Sequence, residues 1–195
     1  IPQVMDVLLG NGTQSLSLMS GGANQLESFL LGGVNQITVI FDEEVTLDSN
    51  AFQLNCFNIS SYTVGSPVTE LLPDGTFRVT WMLTEPVQSD QLVLHLQSDH
   101  IQSASGDFLD GEWLNPISLE DLTGDSFPSG DGASGGDFFF RLNILPGDTN
   151  RDAFVDIGDA TVLFSHLGET GLPMDGDLNG DGFIDAADAR VLFSY

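Results

Sequence analysis

The sequence predicts a mainly β protein: a β-sandwich over residues 1–145, then a small α-helical module over residues 146–195. Three observations predict this. Up to residue 145, short apolar stretches alternate with polar residues between clusters of Gly, Pro, Asn, Asp and Ser, as in antiparallel strands that bury one face. Beyond that point the alternation stops, and one segment is written twice at an offset of 29 residues. Each copy ends in an apolar run at helical spacing: Ala160, Leu163, Phe164 and Leu167, then Ala189, Leu192 and Phe193.

In chain order, Pro2 to Leu8 is a first candidate strand, closed by Gly10-Asn11-Gly12. Ile37, Val39 and Phe41 form the alternating face of a second, and Asp42-Glu43-Glu44 turns the chain outward. Phe52–Cys56, Tyr62–Val64, Phe77–Trp81 and Leu92–Leu96 follow, with Pro73-Asp74-Gly75 as a turn among them. Phe138–Leu142 is the last, entered through the glycine-rich stretch 124–137. Strands at this spacing predict an immunoglobulin-like Greek key. Residues 30–145 resemble the Ig-like repeats of large bacterial surface proteins, through Gln36 to Val45, Leu47 to Phe52 and the turn from Ile101 to Gly111. Residues 1–30 read as a lead-in strand or the tail of a preceding domain.

The duplicated segment carries the chemistry. Asp148, Asn150, Asp152, Asp156 and Asp159 recur as Asp177, Asn179, Asp181, Asp185 and Asp188. They fall at positions 1, 3, 5, 9 and 12 of a loop, with Phe154 and Phe183 at position 7 to offer a backbone carbonyl. A hard cation that takes roughly 6–8 oxygens at about 2.3–2.6 Å matches that donor set, and calcium is the usual one. Magnesium prefers fewer protein ligands and a near-ideal octahedron. Four Asp carboxylates and one Asn amide per loop would repel strongly without a cation. The expectation is two Ca2+ ions, one per loop.

An entering helix, as in an EF-hand, is argued against by Leu145-Pro146-Gly147 and Leu172-Pro173-Met174 before the loops. This loop-then-helix unit resembles the type I dockerin module of bacterial extracellular proteins, with its duplicated F-hand calcium loops. Asp rather than Glu at position 12 is the dockerin-like choice. The resemblance implies a cohesin partner, which dockerins usually read with a Ser-Thr pair at positions 10 and 11 and a Lys-Arg pair in the helix. Here those places hold Ile157-Gly158 and Ala186-Ala187, then Phe164-Ser165 and Phe193-Ser194. The calcium scaffold carries over and the partner-reading side chains do not. The apolar residues there must pack in the module's own core or cover something, and mutual packing of Phe164 and Phe193 is the simpler expectation.

Acidic residues outnumber basic ones 29 to 4, for a net charge of −25, which repels nucleic acid and anionic membranes. No apolar run reaches the roughly 18 residues of a membrane span. Cys56 has no partner for an internal disulfide and reads as a small buried hydrophobe. His95 and His100 flank Asp99 without the spacing of a zinc site or triad, and His95 points outward from its strand. No nucleophile elbow, P-loop or zinc-protease motif occurs. Asp125, Asp131 and Asp137 are candidates for a third cation, although their spacing matches no ligand loop. Trp113 and Tyr62 are candidates for stacking on sugar, while Trp81 reads as core.

Together these features predict a non-catalytic, calcium-binding piece of a longer secreted or cell-surface protein that acts in adhesion, anchoring or assembly. The alternative is an accessory or carbohydrate-binding region of a dockerin-bearing polysaccharide-degrading enzyme.

Overall fold

The computed structural model describes residues 1–12, 15–17, 25–118 and 123–194. Thr13 and the final Tyr195 are among the residues outside the description. The strands are β1 (Val4–Gly10), β2 (Ser15–Ser17), β3 (Ser28–Phe29), β4 (Val34–Phe41), β5 (Val45–Leu47) and β6 (Phe52–Cys56). Then come β7 (Val68–Leu71), β8 (Phe77–Val87), β9 (Asp90–Leu96), β10 (Ile101–Ser103) and β11 (Phe138–Ile144). One sheet has the order β2-β1-β4-β8-β7, a second β3-β11-β9-β6, and β10 pairs with β5 alone.

Period-two alternation sorts the side chains as a sandwich requires. Ile37, Val39, Val79 and Trp81 from the first sheet meet Leu92, Leu94, Phe138 and Phe140 from the second in one buried cluster. Trp81 of β8 stacks on Phe52 of β6, ring centroids 4.3 Å apart, and so joins the two sheets. The Leu72–Thr76 turn closes the β7–β8 hairpin, with Gly75 at φ +92° where a side chain would strain the backbone. Residues 1–30 contribute to the sandwich itself, since β1 pairs with β4 and β3 with β11.

Three expectations need correction. Tyr62–Val64 is not a strand. It makes one bridge, Val64 to Leu83, and the edge strand forms beyond Pro67 as β7, whose four residues are all exposed. Trp113 is not a free platform for sugar. Its ring lies 4.6 Å from Phe127 against the core, and its Nε1 donates to Gln25 Oε1 at 2.9 Å. Tyr62 also packs on the core and donates its hydroxyl to Asp90 Oδ2 at 3.2 Å, while burial and the Asp90 charge push its pKa up to about 12.

The C-terminal part has a separate core. Helix α1 (Ile157–Ser165) and helix α2 (Ala186–Leu192) bury Ala160, Leu163 and Leu192 with Leu178 and Ile184. The two copies interlock. Gly147, before the first loop, comes up against Leu192 of α2, and Gly176, before the second, against Leu163 of α1. Each loop therefore packs on the other copy's helix, and neither copy has a core alone.

Phe164 and Phe193 pair with each other as expected, but on the surface and outside the core. Their rings lie 6.4 Å apart, but the side chains are 51% and 68% exposed. Leu163 and Leu192 take the inward positions, and the next residue on a helix is turned about 100° away. Gly176 has φ +114°, and a Cβ there would lie 2.8 Å from Leu163 Cα. Gly176→Ala should therefore destabilise the helical module by about 3 kcal/mol through strain and overpacking. Circular dichroism at 222 nm should show a lower melting midpoint for the helices, with the sandwich transition unmoved.

Candidate metal centre

Each loop is closed by its own carboxylates, and the two networks match bond for bond at most positions. In the first loop Asp148 accepts from the amides of Asp152 and Ala153, both at 3.0 Å. Asp177 accepts from Asp181 at 3.1 Å and Gly182 at 2.9 Å. Asp159 takes the amides of Asn150 (3.1 Å) and Asp156 (2.7 Å), and Asp188 those of Asn179 (3.0 Å) and Asp185 (2.8 Å). Asn150 Nδ2 reaches Asp152 at 2.9 Å, and Asn179 Nδ2 reaches Asp181 at 3.0 Å.

Positions 9 and 12 do double duty. Asp156 and Asp185 are the N-caps of α1 and α2, and Asp159 and Asp188 close a capping box back onto them. The same carboxylates that face the loop interior start the helix, so the loop and its following helix form one unit. Positions 4 and 6 must turn left-handed to wrap the loop. In the second copy they are glycines, Gly180 (φ +76°) and Gly182 (φ +87°), and in the first they are Arg151 (φ +60°) and Ala153 (φ +71°). A side chain in that region costs about 1 kcal/mol per residue, so the first loop holds strain that the second avoids.

Four carboxylates in these loops are almost fully buried: Asp148, Asp159 and Asp188 at 0% exposure and Asp177 at 3%. Taking a carboxylate out of water costs several kcal/mol unless it is paired, and the partners found here are amides and the hydroxyls of Ser28 and Thr149 rather than cations. Asn150, Asp152 and Asp156, with Asn179, Asp181 and Asp185, add further oxygen donors around the same loops. Hard oxygens with uncompensated negative charge fit a hard divalent cation.

Over residues 146–195 the chain matches the family model of the dockerin type I domain. No curated protein and no solved structure matches the chain. The dockerin match covers both loops and both helices, the segment that the repeat marks out.

Away from the two loops, the candidate third cation site does not form from Asp125, Asp131 and Asp137 together. Asp137 turns to His95 Nε2 (2.8 Å) and the Ser98 amide (2.8 Å), and Asp125 accepts from the Leu114 amide at 2.6 Å. His95 is held there by stacking on Phe139 at 4.0 Å. Asp131 instead lies with Asp110 and Glu112, carboxylate oxygens within 4.8 Å of one another. Asp110 is buried and already accepts from Gln3 Nε2, the Asp131 amide and the Gly132 amide, which pins the glycine-rich loop to the first strand.

Two residues near the first loop escape any reading of the repeat. Ser28 Oγ donates to Asp148 Oδ2 at 2.6 Å, and Glu27 pairs with Arg151. Both lie more than a hundred residues upstream, and no local pattern marks them. The visible signal was on the other side, in Arg151 standing where the second copy has Gly180.

The buried position-1 carboxylates should give the cation-free helical module a pH dependence. Burial, reinforced by the Asp159 charge, raises the pKa of Asp148, and burial with the Asp188 charge raises that of Asp177, against opposing hydrogen bonds. A carboxylate raised in the folded state stabilises the fold below its ordinary value and loses that contribution as pH rises through the raised value. The cation-free module should therefore be weakest near neutrality, and protons should compete with the cation in the acid range. Titration in two buffers of different ionisation enthalpy should show affinity falling as pH is lowered into that range, with proton release on binding.

Proposed function

We propose that residues 146–195 are a calcium-binding assembly module, holding one Ca2+ in each of two F-hand loops beside an Ig-like sandwich. The observation that carries this is the pair of matched loop networks around four buried carboxylates. The ligands are Asp148, Asn150, Asp152, Asp156 and Asp159 with the carbonyl of Phe154, and Asp177, Asn179, Asp181, Asp185 and Asp188 with that of Phe183. The order β1-β4-β8-β7 opposite β11-β9-β6 supports the Ig-like reading, because it follows the A-B-E-D and G-F-C arrangement of such sandwiches. A secreted or surface protein, non-catalytic in this region, is the setting that a dockerin and a calcium-rich exterior favour. No helix among the described residues is long and apolar enough to cross a membrane.

The small dockerin core makes metal part of its fold. With a dissociation constant of about 10⁻⁵ M, calcium at about 1 mM adds roughly 2.7 kcal/mol per site. Chelator should melt the helices and leave the sandwich folded, and calorimetry should count two ions. Asp159→Ala and Asp188→Ala should each remove one, because position 12 is the expected bidentate ligand. A count of two tight ions in either variant would mean that the loops are misassigned.

The assembly partner meets an apolar face. Ile157, Phe164, Leu167 and Phe193 are each at least half exposed, and Ala186 and Ala187 lie exposed beside the second loop. That face has neither the hydroxyl pair nor the basic pair of ordinary dockerins, so tight binding to an ordinary type I cohesin is not expected. A cohesin-like partner with a matching apolar surface is the reading this face supports. Sugar recognition loses its aromatic candidates, since Trp81, Trp113 and Tyr62 are all packed on the core. Changing both Phe164 and Phe193 to Ser should leave calcium binding and helicity intact. Unfolding of the calcium-loaded double variant would return both rings to a core role.

A further inference from the structure

We infer that the β-sandwich completes the first calcium loop: Ser28 and Glu27 act as positioning residues for that site, and calcium there locks the dockerin against the sandwich. This rests on the calcium reading of the loops and adds an asymmetry that the repeat itself does not contain.

Ser28 Oγ lies 2.6 Å from Asp148 Oδ2, and the two residues are 6% and 0% exposed. The hydroxyl is a third donor to this carboxylate, beside the amides of Asp152 and Ala153. At the matched place Asp177 is held by the amides of its own loop, Gly180, Asp181 and Gly182. Three residues after Asp148, Arg151 reaches out of the loop to pair with Glu27, each side chain 25% exposed. Its counterpart Gly180 has no side chain to send.

The part of the sandwich that provides these groups is itself held firmly. β3 pairs in parallel with β11 through Asn143 to Ser28 and Ile144 to Phe29. The Leu145 amide donates to Phe29 O at 3.0 Å, and Asn143 Nδ2 to Leu26 O at 2.6 Å. Gln25, buried, bonds to Asn115 and Arg141. Only Leu145, Pro146 and Gly147 separate β11 from Asp148. The strand that delivers the first loop and the segment that carries Ser28 are therefore one hydrogen-bonded unit.

A carboxylate gripped by a hydroxyl and two amides is fixed in orientation, and such outer partners of a metal ligand commonly matter by about 10–100-fold in affinity. The coupling is reciprocal. If the sandwich contact tightens calcium in the first loop, calcium there tightens the sandwich contact by the same factor. Domain orientation should then answer to the first loop and not to the second.

Calcium calorimetry on the full chain, with solution X-ray scattering of the same samples, tests this. The unmodified protein should show two unequal binding events. Ser28→Ala should weaken one of them about tenfold and leave the other unchanged, and Ser28→Thr, which keeps the hydroxyl, should restore it. Glu27→Gln should weaken the same event by a smaller factor. In calcium, the Ser28→Ala, Glu27→Gln double variant should keep its helices while its domains separate in scattering. If Ser28→Ala lowers the sandwich's own melting in chelator, Glu27→Gln alone decides by the same criterion. Two calcium sites indifferent to both residues, or shifted equally by them, would overturn the inference and leave the calcium reading intact. An unmodified protein that takes up no calcium would overturn both.

Discussion

Like charge held out of water is the constraint on which the C-terminal part of this protein depends. Asp148, Asp159, Asp177 and Asp188 are buried within a module whose own apolar core is five residues with three partly buried neighbours. No core of that size offsets several kcal/mol per buried ion. The amide cages lower the cost without cancelling the charge, because an N–H group supplies only a partial positive charge. A divalent cation would offset the charge of the two buried carboxylates in each loop. Loop and helix cap are one structure, since Asp159 and Asp188 belong to both.

The reciprocal packing of Gly147 on Leu192 and Gly176 on Leu163 follows from the same shortage of apolar area. A loop and one short helix cannot enclose a core, so each copy borrows the helix of the other. This cross-packing uses one residue per helix turn on the inner side and leaves its neighbour outside. That is why Phe164 and Phe193 end on the surface although the apolar spacing of α1 includes Phe164. Both helices therefore carry an outward aromatic ring beside strongly acidic loops.

Much of this was legible in the sequence, and the reasons are local. The strands with strict alternation, such as Leu92-Val93-Leu94-His95-Leu96, stand where the pattern put them, because one face is fully buried. The repeat and its two capped helices were readable because loop spacing and helix start are a matter of about twelve consecutive residues. What escaped depended on distance. The edge strand Val68–Leu71 is exposed on all four residues, so no apolar pattern marked it. Trp113 read as a loop aromatic because Phe127 and Gln25, which hold it, come from other segments of the chain. Asp131 was grouped with its neighbours in sequence, whereas the fold sets it beside Asp110 and Glu112.

The two copies, which keep the same loop carboxylates and amides, are unequal in their surroundings. The first loop carries strain at Arg151 and Ala153 and has contacts to Ser28 and Glu27, while the second is relaxed at Gly180 and Gly182. The first loop is closed mainly by its own amides and carboxylates, and the sandwich adds one hydroxyl and one ion pair to it. Arg151 embodies the exchange: its backbone conformation costs free energy where glycine would not, and its side chain reaches Glu27 where glycine could not. Meanwhile the helical face bearing Phe164 and Phe193 stays exposed with the first loop seated on the sandwich. One side of the module thus meets its own chain, and the side bearing the two rings does not.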